Sequence, residues 1–272
     1  MRPEYVDIHA HLNFSAFDED REAVLKRTLD DGVWVINVGT QKDTSRKAVE
    51  IAKGKVGVFA AIGLHPIHTS KSYHDMEELG EGGQEFTSRG EQFDFDFYKE
   101  LGADSKVVAI GECGLDYFRA DPGSLKNQEE NFIRQIELAN SLGKPLMLHI
   151  RNAYSEALKL LKQHANVKGN VHFFTGNWDE AKSFFDIGFS ISFSGVITFV
   201  HDYDQVVKNS PMEMIMADTD SPYVAPRLHR GNRNEPIYVK EIFKTIASLK
   251  NQDSETVRKA IVDNAVRLFG LE

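Results

Sequence analysis

The feature that most constrains this chain is a repeat: short apolar, β-branched runs alternate with amphipathic helical patterns from end to end. Eight runs have buried-strand character: Tyr5 to His11, Val33 to Gly39, Val56 to Gly63, Val107 to Glu112, Pro145 to Ile150, Asn170 to Phe174, Phe189 to Phe193 and Met214 to Asp218. Between them, helical periodicity marks Glu19 to Asp31, Ser45 to Ala52, Gln128 to Leu142, Tyr154 to His164, Asp179 to Phe185 and Pro236 to Leu249, with a last helix at Ser254 to Phe269. Alternation of this kind needs right-handed crossovers and yields a parallel sheet, open or closed. Eight units favour closure, so the expected fold is α/β, a (β/α)8 TIM barrel, with residues 1–272 forming one domain. The segment between the third and fourth strands is longer than the rest. From Asp75 to Glu100 it holds nine acids against two bases, so an insertion is expected at about 70–100.

The downstream ends of these runs carry residues able to bind a divalent metal. They are His9 and His11 in VDIHAHL, Glu112 in VVAIGECGLDY, His149 in PLMLHIR, His172 in GNVHFF and Asp220 in MIMADTDSPY. In a barrel, strand ends converge on one mouth. Residues two apart in a strand share a side, so His9 and His11 can approach one cation together, with Asp7 below them. An HxH pair alone is as readily two hydrogen-bonded histidines as two ligands. Asp218 and Asp220 also lie two apart and repel unless a cation or proton separates them, although Asp220 with Ser221 and Pro222 also reads as a strand-end turn. Glu112, His149 and His172 tip the balance, because buried charged groups are rare unless paired or coordinated. Nitrogen and carboxylate donors suit Zn, Mn or Fe, with Mg open where substrate phosphate completes the shell.

Composition narrows the setting. A net charge of -9 argues against broad adsorption to nucleic acid through a basic surface, yet two bound divalent cations would dominate the potential of their own site. The single cysteine, Cys113, forms no internal disulfide and reads as a small buried side chain. With no export signal or membrane span expected from the sequence, a cytoplasmic location is the expectation. Arg151, two residues after His149, shares its strand side and offers a planar fork for a phosphate oxygen. Arg227, His229, Arg230 and Arg233 form a basic loop after the last strand, where barrels often bind phosphate, although a solvated surface loop explains Arg227 and Arg233 equally well.

Taken in order, VDIHAHL, GLHP, GECGLDY, LHIR, HFFTG, SFSGVITF, TDSPY and RGNRNEP span nearly the whole chain, and the set resembles the TatD family of metal-dependent deoxyribonucleases. The resemblance implies a distorted barrel with two divalent metal ions (Mg, Mn or Zn) that hydrolyses phosphodiester bonds in DNA, often as a 3′ to 5′ exonuclease. Carried over by motif, it implies that His9 and His11 bind one metal, Glu112 bridges, His149 and His172 hold the second, and Asp220 is a ligand that also handles the water proton. His65, Arg151, Arg230 and Asn234 fall in family motifs on the substrate side, and Asp218 lies behind the ligands. Two departures stand out: Asp218 where the family often has Glu, and HFF where an HCF form is common. Neither replaces a group of the ligand set.

The expected substrate is therefore DNA, as single strands or 3′ ends, with no obligate protein partner evident. A metal-dependent amide or ester hydrolase, such as a D-aminoacyl-tRNA deacylase, is the competing enzymatic reading, because a metal-activated hydroxide also attacks carbonyl carbon. A catalytically silent binding scaffold is a third.

Overall fold

A computed structural model describes residues 2–71, 73–74, 86–118 and 120–272. Its strands are β1 (Tyr5–Ala10), β2 (Val33–Val38), β3 (Val58–Ile62), β4 (Tyr73–His74), β5 (Phe86–Thr87), β6 (Val107–Asp116), β7 (Leu146–Arg151), β8 (Gly169–Val171), β9 (Ser190–Phe193) and β10 (Ile215–Ala217). All but β4 and β5 form one parallel eight-stranded sheet in the order β1-β2-β3-β6-β7-β8-β9-β10. The ring closes just beyond the strands. Ala10 bridges Ser221 in parallel fashion, with Asp220 N–H donating to His9 O at 2.9 Å and His11 N–H to Ser221 O at 2.8 Å. The architecture is the TIM barrel expected from the alternation.

The outer layer comprises α1 (Arg21–Asp30), α2 (Lys42–Ala52), α3 (Phe95–Gly102), α4 (Pro122–Leu142), α5 (Tyr154–His164), α6 (Trp178–Asp186), α7 (Asp204–Asn209), α8 (Val239–Lys250) and α9 (Ser254–Phe269). Their ends follow local chemistry. Asn177 and Glu180 form a capping box at α6, Asp253 caps α9, and Gly143 and Gly270 take the left-handed conformation that ends α4 and α9. Among the described residues, no helix is long and apolar enough to cross a membrane.

Some boundaries differ from expectation. Helix α4 begins at Pro122, after Asp121, one and a half turns before Gln128; an Asp-Pro start signal preceded the apolar stripe. Part of the span expected as an insertion, Phe95–Gly102, is α3, which packs on the barrel and whose Tyr98 hydroxyl donates to Gly63 O at 3.0 Å in the core. The paired strands β4 and β5 fall in the same span, and residues 75–85 of it lie outside the described residues. Strands β8 and β10 stop before His172 and Asp218, and β6 continues four residues past Glu112 to Asp116. The short strands end where the backbone must turn: Phe173 and Asp220 have φ of 45° and 52°, outside the extended region.

The GECG segment shows why its glycines are there. A Cβ at Gly111 would lie 2.3 Å from Met147 O, and one at Gly114 would lie 2.0 Å from His149 O. Only hydrogen lets β6 approach β7 closely enough to set Glu112 beside His149. Gly114→Ala is therefore expected to lower stability by about 3 kcal/mol or more, measured by urea unfolding. An unchanged midpoint would contradict the close packing.

Candidate metal centre

Two sets of donors face the two oxygens of one carboxylate. Glu112 Oε2 lies 3.4 Å from His9 Nε2 and 3.6 Å from His11 Nε2, and Asp220 Oδ1 lies 3.8 and 3.3 Å from the same two nitrogens. On the other side, Glu112 Oε1 lies 2.8 Å from His172 Nε2, 3.1 Å from His149 Nδ1 and 3.2 Å from His65 Nε2. His9, Glu112 and His172, then His9, His11 and Asp220, and then His65, Glu112 and His149 form overlapping groups whose donor atoms lie within 4.8 Å of one another.

The protons on the rings decide which of these atoms can be ligands. His11 Nδ1–H donates to Val38 O at 2.9 Å, so in the neutral ring the Nε2 lone pair points inward, where it faces His9 Nε2 at 3.2 Å. Where both nitrogens are bare, they and the two carboxylate oxygens beside them repel unless a proton or a cation lies among them. The donor set therefore fits a bound divalent metal. His65 differs. Its Nδ1 accepts the Ile67 N–H at 3.2 Å, so in the neutral ring Nε2 carries the proton and donates to Glu112. It is a donor at the edge of the cluster.

Burial shapes the charges. His9 is lowered to about 3, first by desolvation and then by His172. Desolvation would raise Glu112, but the surrounding His65, His172 and His9 hold it well below the ordinary carboxylate value. Desolvation also opposes ionised Asp220, and the hydrogen bond from His11 overcomes it. Asp218 is raised to about 6 by burial; one oxygen accepts Phe173 N–H at 3.2 Å and the Ser192 hydroxyl, so it braces the turn after His172. Asp7, raised well above its usual value by burial, accepts Thr219 N–H at 2.9 Å and the Thr219 hydroxyl at 2.6 Å. It anchors the segment carrying Asp220 to β1.

The structure brings together His9, His11, Glu112, His149, His172 and Asp220, with His65 beside them. The substrate-side residues divide. Arg151 lies over the Phe118 ring at 3.8 Å, and the exposed Arg230 lies over Phe199 at 4.4 Å. Asn234 does not face the substrate side as expected. It is fully buried, its amide donating to Thr219 O at 2.8 Å and Tyr223 O at 2.7 Å while its oxygen accepts Glu235 N–H at 2.9 Å. With every polar atom committed to backbone, it clamps the loop that holds Asp220. Arg233 is likewise a tether, donating to both Asp20 oxygens at 2.8 and 2.7 Å. Cys113 is buried and its thiol pushed up by desolvation, which leaves it unreactive. Sequence reasoning missed Asp116, whose Oδ2 lies 3.0 Å from His149 Nε2. The available signal was its place four residues after Glu112 in GECGLDY.

A family model described as TatD related DNase matches residues 6–270. The chain is 36% identical over 268 residues to the uncharacterized metal-dependent hydrolase YabD of Bacillus subtilis (strain 168), covering 97% of this chain and 98% of that protein. It is 31% identical over 279 residues to a Musicola paradisiaca protein named 3'-5' ssDNA/RNA exonuclease TatD, with 97% of each covered. The crystal structure of YJJV, a TatD homologue from Escherichia coli K12, aligns with a TM-score of 0.84 at 26% identity over 100% of both chains.

Without metal, His149 is raised from 6.5 to about 10, because hydrogen bonds to Asp116 and Glu112 outweigh the desolvation that lowers it. Its protonated form thus stabilises the metal-free fold fully below about 6.5, and that contribution is lost as pH rises through about 10. A cation that uses Nδ1 must displace this proton near neutral pH. Calorimetric titration with Zn or Mn in two buffers of different ionisation heat is expected to show release of about one proton from this site and an affinity that rises with pH. No release would remove His149 from the ligand set.

Proposed function

Because this chain belongs to the TatD-related DNase family of metal-dependent hydrolases, we propose that it is a deoxyribonuclease that cleaves DNA phosphodiester bonds through a two-metal centre, working from 3′ ends of single strands. The observation that carries the proposal is the Glu112 carboxylate, whose two oxygens face two different donor sets. His9, His11 and Asp220 with Oε2 would hold one ion, and His149 and His172 with Oε1 the other. Bound there, a pair of divalent cations supplies Lewis acidity toward a phosphate oxygen and lowers the pKa of water.

The chain's own groups do the rest. Asp220 is less enclosed than Glu112, its side chain 14% exposed against 4%, and in the metal-free chain the hydrogen bond from His11 outweighs desolvation and holds its carboxyl below the ordinary value. It therefore accepts the proton of the attacking water. Arg151 presents its guanidinium from the end of β7, on the strand that bears His149, to a phosphate oxygen. Arg230, on the exposed loop after β10, binds the adjoining backbone phosphate. The Nε2–H of His65 steadies the Glu112 carboxylate. The name borne by the Musicola relative supports single-stranded substrate and 3′ to 5′ polarity.

End-labelled single- and double-stranded oligonucleotides, incubated with Mg, Mn or Zn beside a chelator control and a D-aminoacyl-tRNA arm, test the proposal. Metal-dependent shortening from the 3′ end is expected; ester cleavage without DNA cleavage would overturn it. Asp220→Asn is expected to lower turnover by about 10²-fold or more. Arg230→Ala is expected to raise KM while the metal content by elemental analysis stays at the native level, and unchanged kinetics would remove Arg230 from the substrate path.

A further inference from the structure

The four histidines gathered around Glu112 and Asp220 as candidate ligands do not present the same atom. His9, His11 and His172 direct Nε2 toward the carboxylates, whereas His149 directs Nδ1, at 3.1 Å from Glu112 Oε1. The remote nitrogens differ too. His11 Nδ1 meets the Val38 carbonyl, and the Nδ1 atoms of His9 and His172 are buried with no hydrogen-bond partner among the described residues. Among the described residues, only His149 of the four has a carboxylate within hydrogen-bond distance of its remote nitrogen, Asp116 Oδ2 at 3.0 Å from Nε2.

We propose that Asp116 is a positioning residue that dictates which nitrogen of His149 faces the metal centre, and so builds the second metal position. The inference rests on the two-metal reading above. The competing tautomer would set the bare Nε2 lone pair against the Asp116 carboxylate and turn an N–H into the ligand position. Asp116 therefore keeps the proton on Nε2, leaves the Nδ1 lone pair inward and increases the ring's donor strength.

A helix of the outer layer keeps that carboxylate in place. From α4, Gln128 accepts the Asp116 N–H at 2.8 Å through Oε1 and donates through Nε2 to Asp116 O at 2.8 Å. The other carboxylate oxygen, Oδ1, accepts Phe118 N–H at 3.0 Å. The next residue is tied across to β7, Tyr117 N–H donating to Arg151 O at 2.9 Å. Asp116 is 3% exposed and Gln128 4%, so water does not compete for these bonds. A buried amide that grips both main-chain groups of one residue fixes the point from which its side chain departs, and the Phe118 N–H on Oδ1 holds the carboxylate itself.

The test uses the full chain loaded with ¹¹³Cd and labelled with ¹⁵N-histidine. Coupling between cadmium and Nδ1 of His149, alongside Nε2 coupling for His9, His11 and His172, is expected. Coupling through Nε2 of His149 would overturn the proposal while leaving the metal reading intact, whereas a chain that binds no cadmium would take both down. In parallel, Zn affinity is read by competition with a chromophoric chelator. Asp116→Ala is expected to weaken one of two sites by about 10- to 100-fold and to leave the other unchanged, with Asp116→Asn intermediate because its amide oxygen still accepts. Equal weakening of both sites, or of neither, would reject the role. Should Asp116→Ala fail to fold, the coupling pattern of the unmodified chain decides the question.

Discussion

The structure turns on one buried anion. Glu112 is almost wholly out of water, and an unpaired carboxylate in such a place is costly enough to take up a proton instead. Here imidazoles line both of its oxygens, and among the described residues no Lys or Arg forms a salt bridge with it. Compensation by titratable rings differs from compensation by permanent cations. A ring that carries an extra proton can give it up to a metal, as His149 would, so the arrangement that stabilises the carboxylate in the metal-free chain would become the ligand set in a loaded one.

Holding that carboxylate in position requires the barrel wall to be unusually close at one seam. The glycines on either side of Glu112 and Cys113 let β6 press on β7, and the same strand, continuing to Asp116, delivers a second carboxylate behind His149. Strand β6 thus serves His149 from both sides. On the opposite side of the ring, closure and chemistry are joined. The segment that bridges β10 to β1 also bears Asp220, and Asp7, Thr219 and Asn234 bind it through buried hydrogen bonds. Positive φ at Asp220 is held by this surrounding lattice, as backbone conformations off the common regions must be.

The eight strands were legible because each run had to be apolar on both faces, one toward the barrel interior and the other toward a helix. Helix α3 was obscured by the acids and glycines around it, and its apolar side chains pack on β3 and β6 only once the long segment folds back. The clustered histidines and acids were legible for a similar reason, since such residues at successive strand ends have few structural explanations. Asn234 misled because a motif residue beside arginines looks like a substrate contact, while its real neighbours are carbonyls 10 to 15 positions upstream in the chain.

What the sequence determined by itself was periodicity and inventory: a closed parallel barrel, and the identity of the imidazoles and carboxylates that its strand ends carry. The tertiary structure alone decided direction. Which nitrogen of each ring points inward, which oxygen of Glu112 serves which set, and whether an amide faces substrate or backbone depend on hydrogen-bond partners tens of residues away, such as Val38 for His11. Spacing along a chain places a Cβ on a face. A ring's orientation and proton are set by what lies behind it, and only packing brings that partner there.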